Sequence, residues 1–177
     1  MNFWKTGSSL AQSVFSSSLD PTGLAFTAAL ASAANLSTHS FAASGVFSLI
    51  QSDVAVAGYA FGGVLSAPTL TFGTLADIKG LNGDTRVQRL EIASHAGDVG
   101  GPVFDGSGAV TGLLLAGDDG ARQLPDSVAF AADTPVLAEF LSANGIRPAT
   151  SQTTEPMAPE DLTLLAGDLT VLVGCWN

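Results

Sequence analysis

The sequence predicts a mainly β domain, closed by a C-terminal helix and flanked by extended ends. Three observations lead there. A chain of 177 residues is long enough for one hydrophobic core and short for two. With 46% hydrophobic and only 12% charged residues it has the composition of an ordered globular domain. From about Val46 onward, short apolar runs are split by turn residues, which is the texture of a β-barrel or sandwich.

Taken in order, residues 1–19 form a serine-rich leader with an aromatic tip at Phe3 and Trp4. Residues 20–44 are small and alanine-rich, with no clear period. Strands are predicted near 46–50, 53–59, 69–75, 87–94, 102–104, 109–116 and 127–131. In "VFDGSGAV", Asp105-Gly106 and Gly108 supply the positive-φ positions of a hairpin. A helix follows, with Thr134 as cap, Pro135 in its first turn and an apolar stripe of Val136, Leu137, Phe140 and Leu141. Asn144-Gly145 ends it. "RPATSQTTEPMAPED" reads as a Pro/Thr-rich linker. In the tail, Leu169, Val171 and Val173 alternate with Thr170, Leu172 and Gly174, which predicts a strand too apolar to hang in water. The predicted division is therefore 1–44 for the leader region, 45–147 for the barrel and its helix, and 148–177 for linker and tail.

Charge and motif content exclude several function classes. A formal net charge of −10 argues against a nucleic-acid partner, because phosphate binding needs clustered Lys and Arg. No run approaches the length of a membrane helix. "GLAFTAALASAA" is short and apolar, but Asp20 and Pro21 precede it and Lys5 is the one positive charge ahead of it, so it is not read as a secretion signal. The single cysteine, Cys175, can form no intramolecular disulfide, and a cytoplasmic setting is favoured over a periplasmic one. Flanked by apolar residues, Cys175 is read as a small buried hydrophobe. "HAGDVGG" and "GLNGDTR" match no phosphate or dinucleotide loop. His39 has no Asp, Glu, Cys or His at ligand spacing, and the pairs Asp118-Asp119 and Glu160-Asp161 read as solvated turns. Neither a metal nor another cofactor is expected.

Five segments, in order, carry a resemblance. They are "VAVAGYAFGG", "LTFGTLADIKG", "TRVQRLEIASHAGDVGGPVFD", "GAVTGLLLAG" and "LPDSVAFAAD" with the helix after it. From about Asp20 to Gly145 the chain resembles a bacterial trypsin-like serine peptidase domain of the chymotrypsin/HtrA kind, and specifically its second half. The resemblance implies a single chymotrypsin-like six-stranded β-barrel with a C-terminal helix. It implies that the backbone N–H groups of Gly97 and Val99 are the remnant of an oxyanion hole, and that Asp98 accepts local hydrogen bonds. It also makes residues 1–44 a leader plus a remnant of the segment before that barrel.

The chain departs from the pattern at the reacting groups. Where the family has its serine nucleophile this sequence has Val99, whose isopropyl side chain cannot be deprotonated. The family's histidine belongs to the first barrel, and no counterpart is found. In "LDPTGLAF", Gly23 precedes Leu24-Ala25 where the family's aspartate would stand, with Asp20 upstream. Adjacent Ser94 and His95 point to opposite faces of an extended chain and cannot act as nucleophile and base. The resemblance with these losses leads to the expectation of a chain that is not an enzyme: a degenerate peptidase serving as a structural or binding subunit. Its partners would be proteins, in a larger complex or a homo-oligomer, touched through Phe3, Trp4, Leu169, Val171, Val173 and Trp176. The alternatives are a peptide binder that adds a strand along "GLLLAG", or a split serine peptidase completed by a second chain.

Overall fold

The computed structural model describes residues 26–28, 40–42, 50–61, 64–117 and 124–173. Its strands are β1 (Phe26–Ala28), β2 (Ser40–Ala42), β3 (Asp53–Gly58), β4 (Thr69–Asp77), β5 (Val87–Glu91), β6 (Pro102–Asp105), β7 (Val110–Leu114), β8 (Val128–Asp133), β9 (Ala149–Ser151) and β10 (Val171–Val173). Two helices are described, α1 (Thr134–Ala143) and α2 (Pro159–Leu169). The order β6-β3-β4-β5-β8-β7, with β6 also paired to β7, closes six antiparallel strands into a barrel. The expected mainly β fold, six-stranded barrel and helix are all present.

Both faces of β3 are buried, and this organises the molecule. Val54 and Val56 join Leu75, Leu90, Val103 and Leu114 in the barrel interior. Ala55 and Ala57 point outward, into a second cluster with Phe104, Val110 and residues of both helices. A register shift between Val103 and Phe104 lets β7 serve both clusters: Val110 faces Phe104 outside, while Gly112 faces Val103 inside. One polar group is held in this frame. Buried Gln88 donates its Nε2 to the Thr111 carbonyl at 3.0 Å, which also accepts the Thr134 hydroxyl at 2.8 Å.

Three elements differ from expectation. The stretch read as linker pairs as β9, parallel to β2, and β2 takes the part of β7 that β8 leaves open. The tail, read as containing a strand around Thr170, is mostly helix. Pro159 starts α2, Glu160 and Asp161 favour its N-terminus, and Leu162, Leu165, Ala166 and Leu169 recur at helical spacing. Leu169 thus ends a helix, and only Val171–Val173 is strand, paired with β1 rather than with the barrel. Glu160-Asp161 is a first helical turn rather than an isolated one. The strand predicted at 46–50 falls mostly outside the described residues, as do Phe3, Trp4, His39, Asp118, Asp119, Cys175 and Trp176.

The cap of α1 is Asp133, not Thr134: its Oδ1 accepts the Thr134 N–H at 2.8 Å. Burial raises the Asp133 carboxyl above its ordinary value, partly offset by that hydrogen bond. A folded-state value above the unfolded one makes ionisation cost stability, so this group's contribution is fullest at low pH and is lost as pH rises through the carboxylate range. Asp133→Asn keeps the cap without the charge. Its stability in denaturant melts should equal or exceed the parent's at pH 7, with the gap closing at pH 4, whereas Asp133→Ala should cost about 1 kcal/mol.

Candidate functional site

Between β5 and β6 the chain makes one tight excursion, residues 93–101, over the rim of the barrel. Its centre is a 3₁₀ turn, Ala96–Asp98. The turn is fastened from three sides by backbone bonds. Tyr59 N–H, just past β3, donates to the Gly97 carbonyl at 3.1 Å. Gly100 N–H donates to the Leu114 carbonyl at 2.8 Å, and Leu114 N–H returns to the Gly101 carbonyl at 2.9 Å. Gly101 N–H closes on the Asp98 carbonyl at 2.9 Å.

Two of its glycines are required by geometry. Gly100 has φ +80°, a region that costs an L side chain about 1–2 kcal/mol. Gly101 lies against β3, where a Cβ would overlap the Ala57 carbonyl oxygen and stand 2.8 Å from that of Asp98. Those neighbours are backbone and cannot swing aside.

Asp98 holds the turn from within. Its side chain is 0% exposed, and its Oδ2 accepts the His95 N–H at 2.9 Å. The His95 Nδ1 stands 3.5 Å from the same oxygen, an ion pair when the imidazole is protonated. The local acceptor role expected for Asp98 is thus seen, while its Oδ1 has no hydrogen-bond partner among the described residues. The exposed His95 ring lies 6.1 Å from the ring of Phe61.

Val99 sits half-buried at the end of the turn. Its N–H is directed back to the Ala96 carbonyl at 3.4 Å, inside the turn rather than toward an incoming group. Gly97 is buried, and its carbonyl is committed to Tyr59. On the barrel side, "GLLLAG" offers little open edge: β7 pairs with β6 and β8, and Leu115 N–H donates to Phe130 O at 2.8 Å. Among the other expected contact residues, Leu169 is fully buried in the outer cluster, and Val171 and Val173 are in backbone register with Ala28 and Phe26 in the β1–β10 ribbon.

Sequence reasoning overlooked the loop opposite the turn. Phe61 is 58% exposed and Val64 85%, with Leu65 also exposed, on the β3–β4 connection beside His95. Large apolar residues among glycines in "YAFGGVLSAP" were the available signal. No cluster of His, Cys, Asp and Glu able to hold a metal occurs among the described residues. No described helix is long and apolar enough to cross a membrane.

No family model matches the chain. It is 30% identical over 145 residues to the uncharacterized protein y4bJ of Sinorhizobium fredii, covering 78% of this chain and 23% of that protein. Among solved structures it is similar to the Rv3671c protease in an inactive form, at 28% identity and a TM-score of 0.45, over 60% of this chain and 55% of that one. A serine-to-alanine mutant of Rv3671c from M. tuberculosis H37Rv, also inactive, is 27% identical with a TM-score of 0.46, over 68% and 56% of the two chains. The chain thus spans only part of each relative. The expectation that it is not an enzyme is corrected by this comparison, since both structures are of a protease.

Gly101→Ala and Gly100→Ala test the turn. Each should lower stability by roughly 1–3 kcal/mol in denaturant melts, with Gly101 the more sensitive because its neighbour is rigid backbone. Two unchanged midpoints would remove the steric account of these glycines.

Proposed function

We propose that this chain is the second-barrel half of a trypsin-like peptidase architecture, working as a protein-binding subunit of a larger assembly through the face that carries residues 95–101. The observation that carries this reading is the state of that turn. It keeps the backbone clamps and obligatory glycines of a nucleophile loop, yet presents a half-buried valine where a nucleophile would stand. Chemistry through a covalent intermediate at position 99 is closed to it, because valine has no lone-pair donor on its side chain. A covalent step at this turn would need a residue other than Val99.

A second feature favours binding. Phe61, Val64 and Leu65 leave apolar surface in water on the loop whose Phe61 ring lies against His95. Contiguous patches of this kind mark interaction surfaces in soluble proteins. The purified chain should therefore sediment as an oligomer or with a stoichiometric protein partner. A Phe61→Ser, Val64→Ser variant should dissociate by about tenfold or more in affinity with its melting midpoint unchanged, as loss of two exposed anchors predicts. A parent that sediments as a monomer, alone and in extracts of its source cells, would overturn the reading.

A further inference from the structure

The ends of the described chain meet at the candidate site, and nothing in the barrel requires them to. β1 and β10 form a two-stranded antiparallel ribbon separate from the main sheet, in the register Phe26↔Val173, Thr27↔Leu172 and Ala28↔Val171. β1 lies against the 3₁₀ turn Ala96–Asp98. Among the described residues its strand partner is β10 alone. β10 in turn follows directly on α2, separated by the single buried residue Thr170. α2 is anchored firmly, with Leu162, Ala166 and Leu169 buried against the outer face of the barrel.

We propose that α2 and β10 form a strap that sets the order of the site turn: α2 is the anchor, β10 the clasp and β1 the plate pressed on residues 96–98. The two halves of the turn are held differently. Gly100 and Gly101 are bonded to the barrel through Leu114 and do not depend on the strap. The outer half is tied by the Tyr59–Gly97 bond and by close packing of Gly97 and Asp98 against Tyr59 and Gly58, while the Asp98 and Val99 N–H groups bond within the turn. A three-residue ribbon is marginal by itself, so its pairing is the weakest joint in this chain of contacts. A strand that competes with β10 for β1 would loosen residues 96–99 while the barrel stays closed. The strap is thus a device for changing the site from the far end of the sequence.

The experiment is residue-resolved amide hydrogen exchange on full-length chains carrying Leu172→Pro, which disrupts strand pairing, or Leu172→Thr, which preserves it. A paired Val171→Gly, Val173→Gly variant weakens the ribbon more gently should the proline chain fail to fold. In the proline and glycine variants, exchange at Tyr59, Asp98 and Val99 should quicken by about tenfold, with Leu90 and Val103 unchanged, as expected of a local opening. Leu172→Thr should match the parent. Unaltered exchange at Asp98 and Val99 while β1 loses protection would overturn the strap. Uniform acceleration across the barrel would also overturn it, because α2–β10 would then be ordinary structural support.

Discussion

Where β3 ends, its backbone runs so close to the turn at residues 97–101 that a Cβ on Gly58, Gly97 or Gly101 would overlap the facing segment. The Ala57 carbonyl occupies the space a Cβ on Gly101 would need, and Tyr59 bonds to the Gly97 carbonyl one step further. This approach fixes where β6 begins. β6 then pairs with β3 on one side and β7 on the other, and those two pairings close the barrel. A sequence that kept the barrel had to keep the glycines, whatever became of the residue at 99. Val99, half-buried at the end of the turn, is not held by that steric constraint.

The same strand explains how a 177-residue chain supports two apolar clusters. Alternation along β3 sends Val54 and Val56 inward and Ala55 and Ala57 outward. Alanine on the outer side leaves room for helices, and α1 and α2 fill it with Leu137, Leu141, Leu162 and Leu169. The outer face of the barrel along β3 is thus covered by the chain's own C-terminal part. The most exposed apolar side chain among the described residues is Val64, on the loop that also carries Phe61.

The barrel was legible in the sequence because its strands are short apolar runs bounded by turn residues, and because Asp105-Gly106 and Gly108 mark one hairpin directly. The tail was harder to read. Leu164 and Gly167 interrupt the stripe of Leu162, Leu165, Ala166 and Leu169, and the alternation from Leu169 to Val173 imitates a longer strand. The helical cues lay earlier, in Pro159 and the two acids after it. β9 and β1 are three residues each, too short for any period to show, and exist only through long-range pairing. At the site, the glycines and Val99 were visible as a pattern, but the direction of the Val99 N–H was not. Nor did the sequence show that Asp133 rather than Thr134 caps α1, since either residue type can serve.

The claim on which the rest stands is that the inner half of the turn belongs to the barrel framework. Native-state hydrogen exchange of the unmodified chain in graded denaturant tests it most directly. If the claim holds, the amides of Gly100 and Leu114 will exchange with the same free energy and denaturant dependence as those of Val56 and Leu90, through global unfolding alone. Fast exchange at Gly100 and Leu114 that is insensitive to denaturant would show a turn that opens on its own, and would contradict the account.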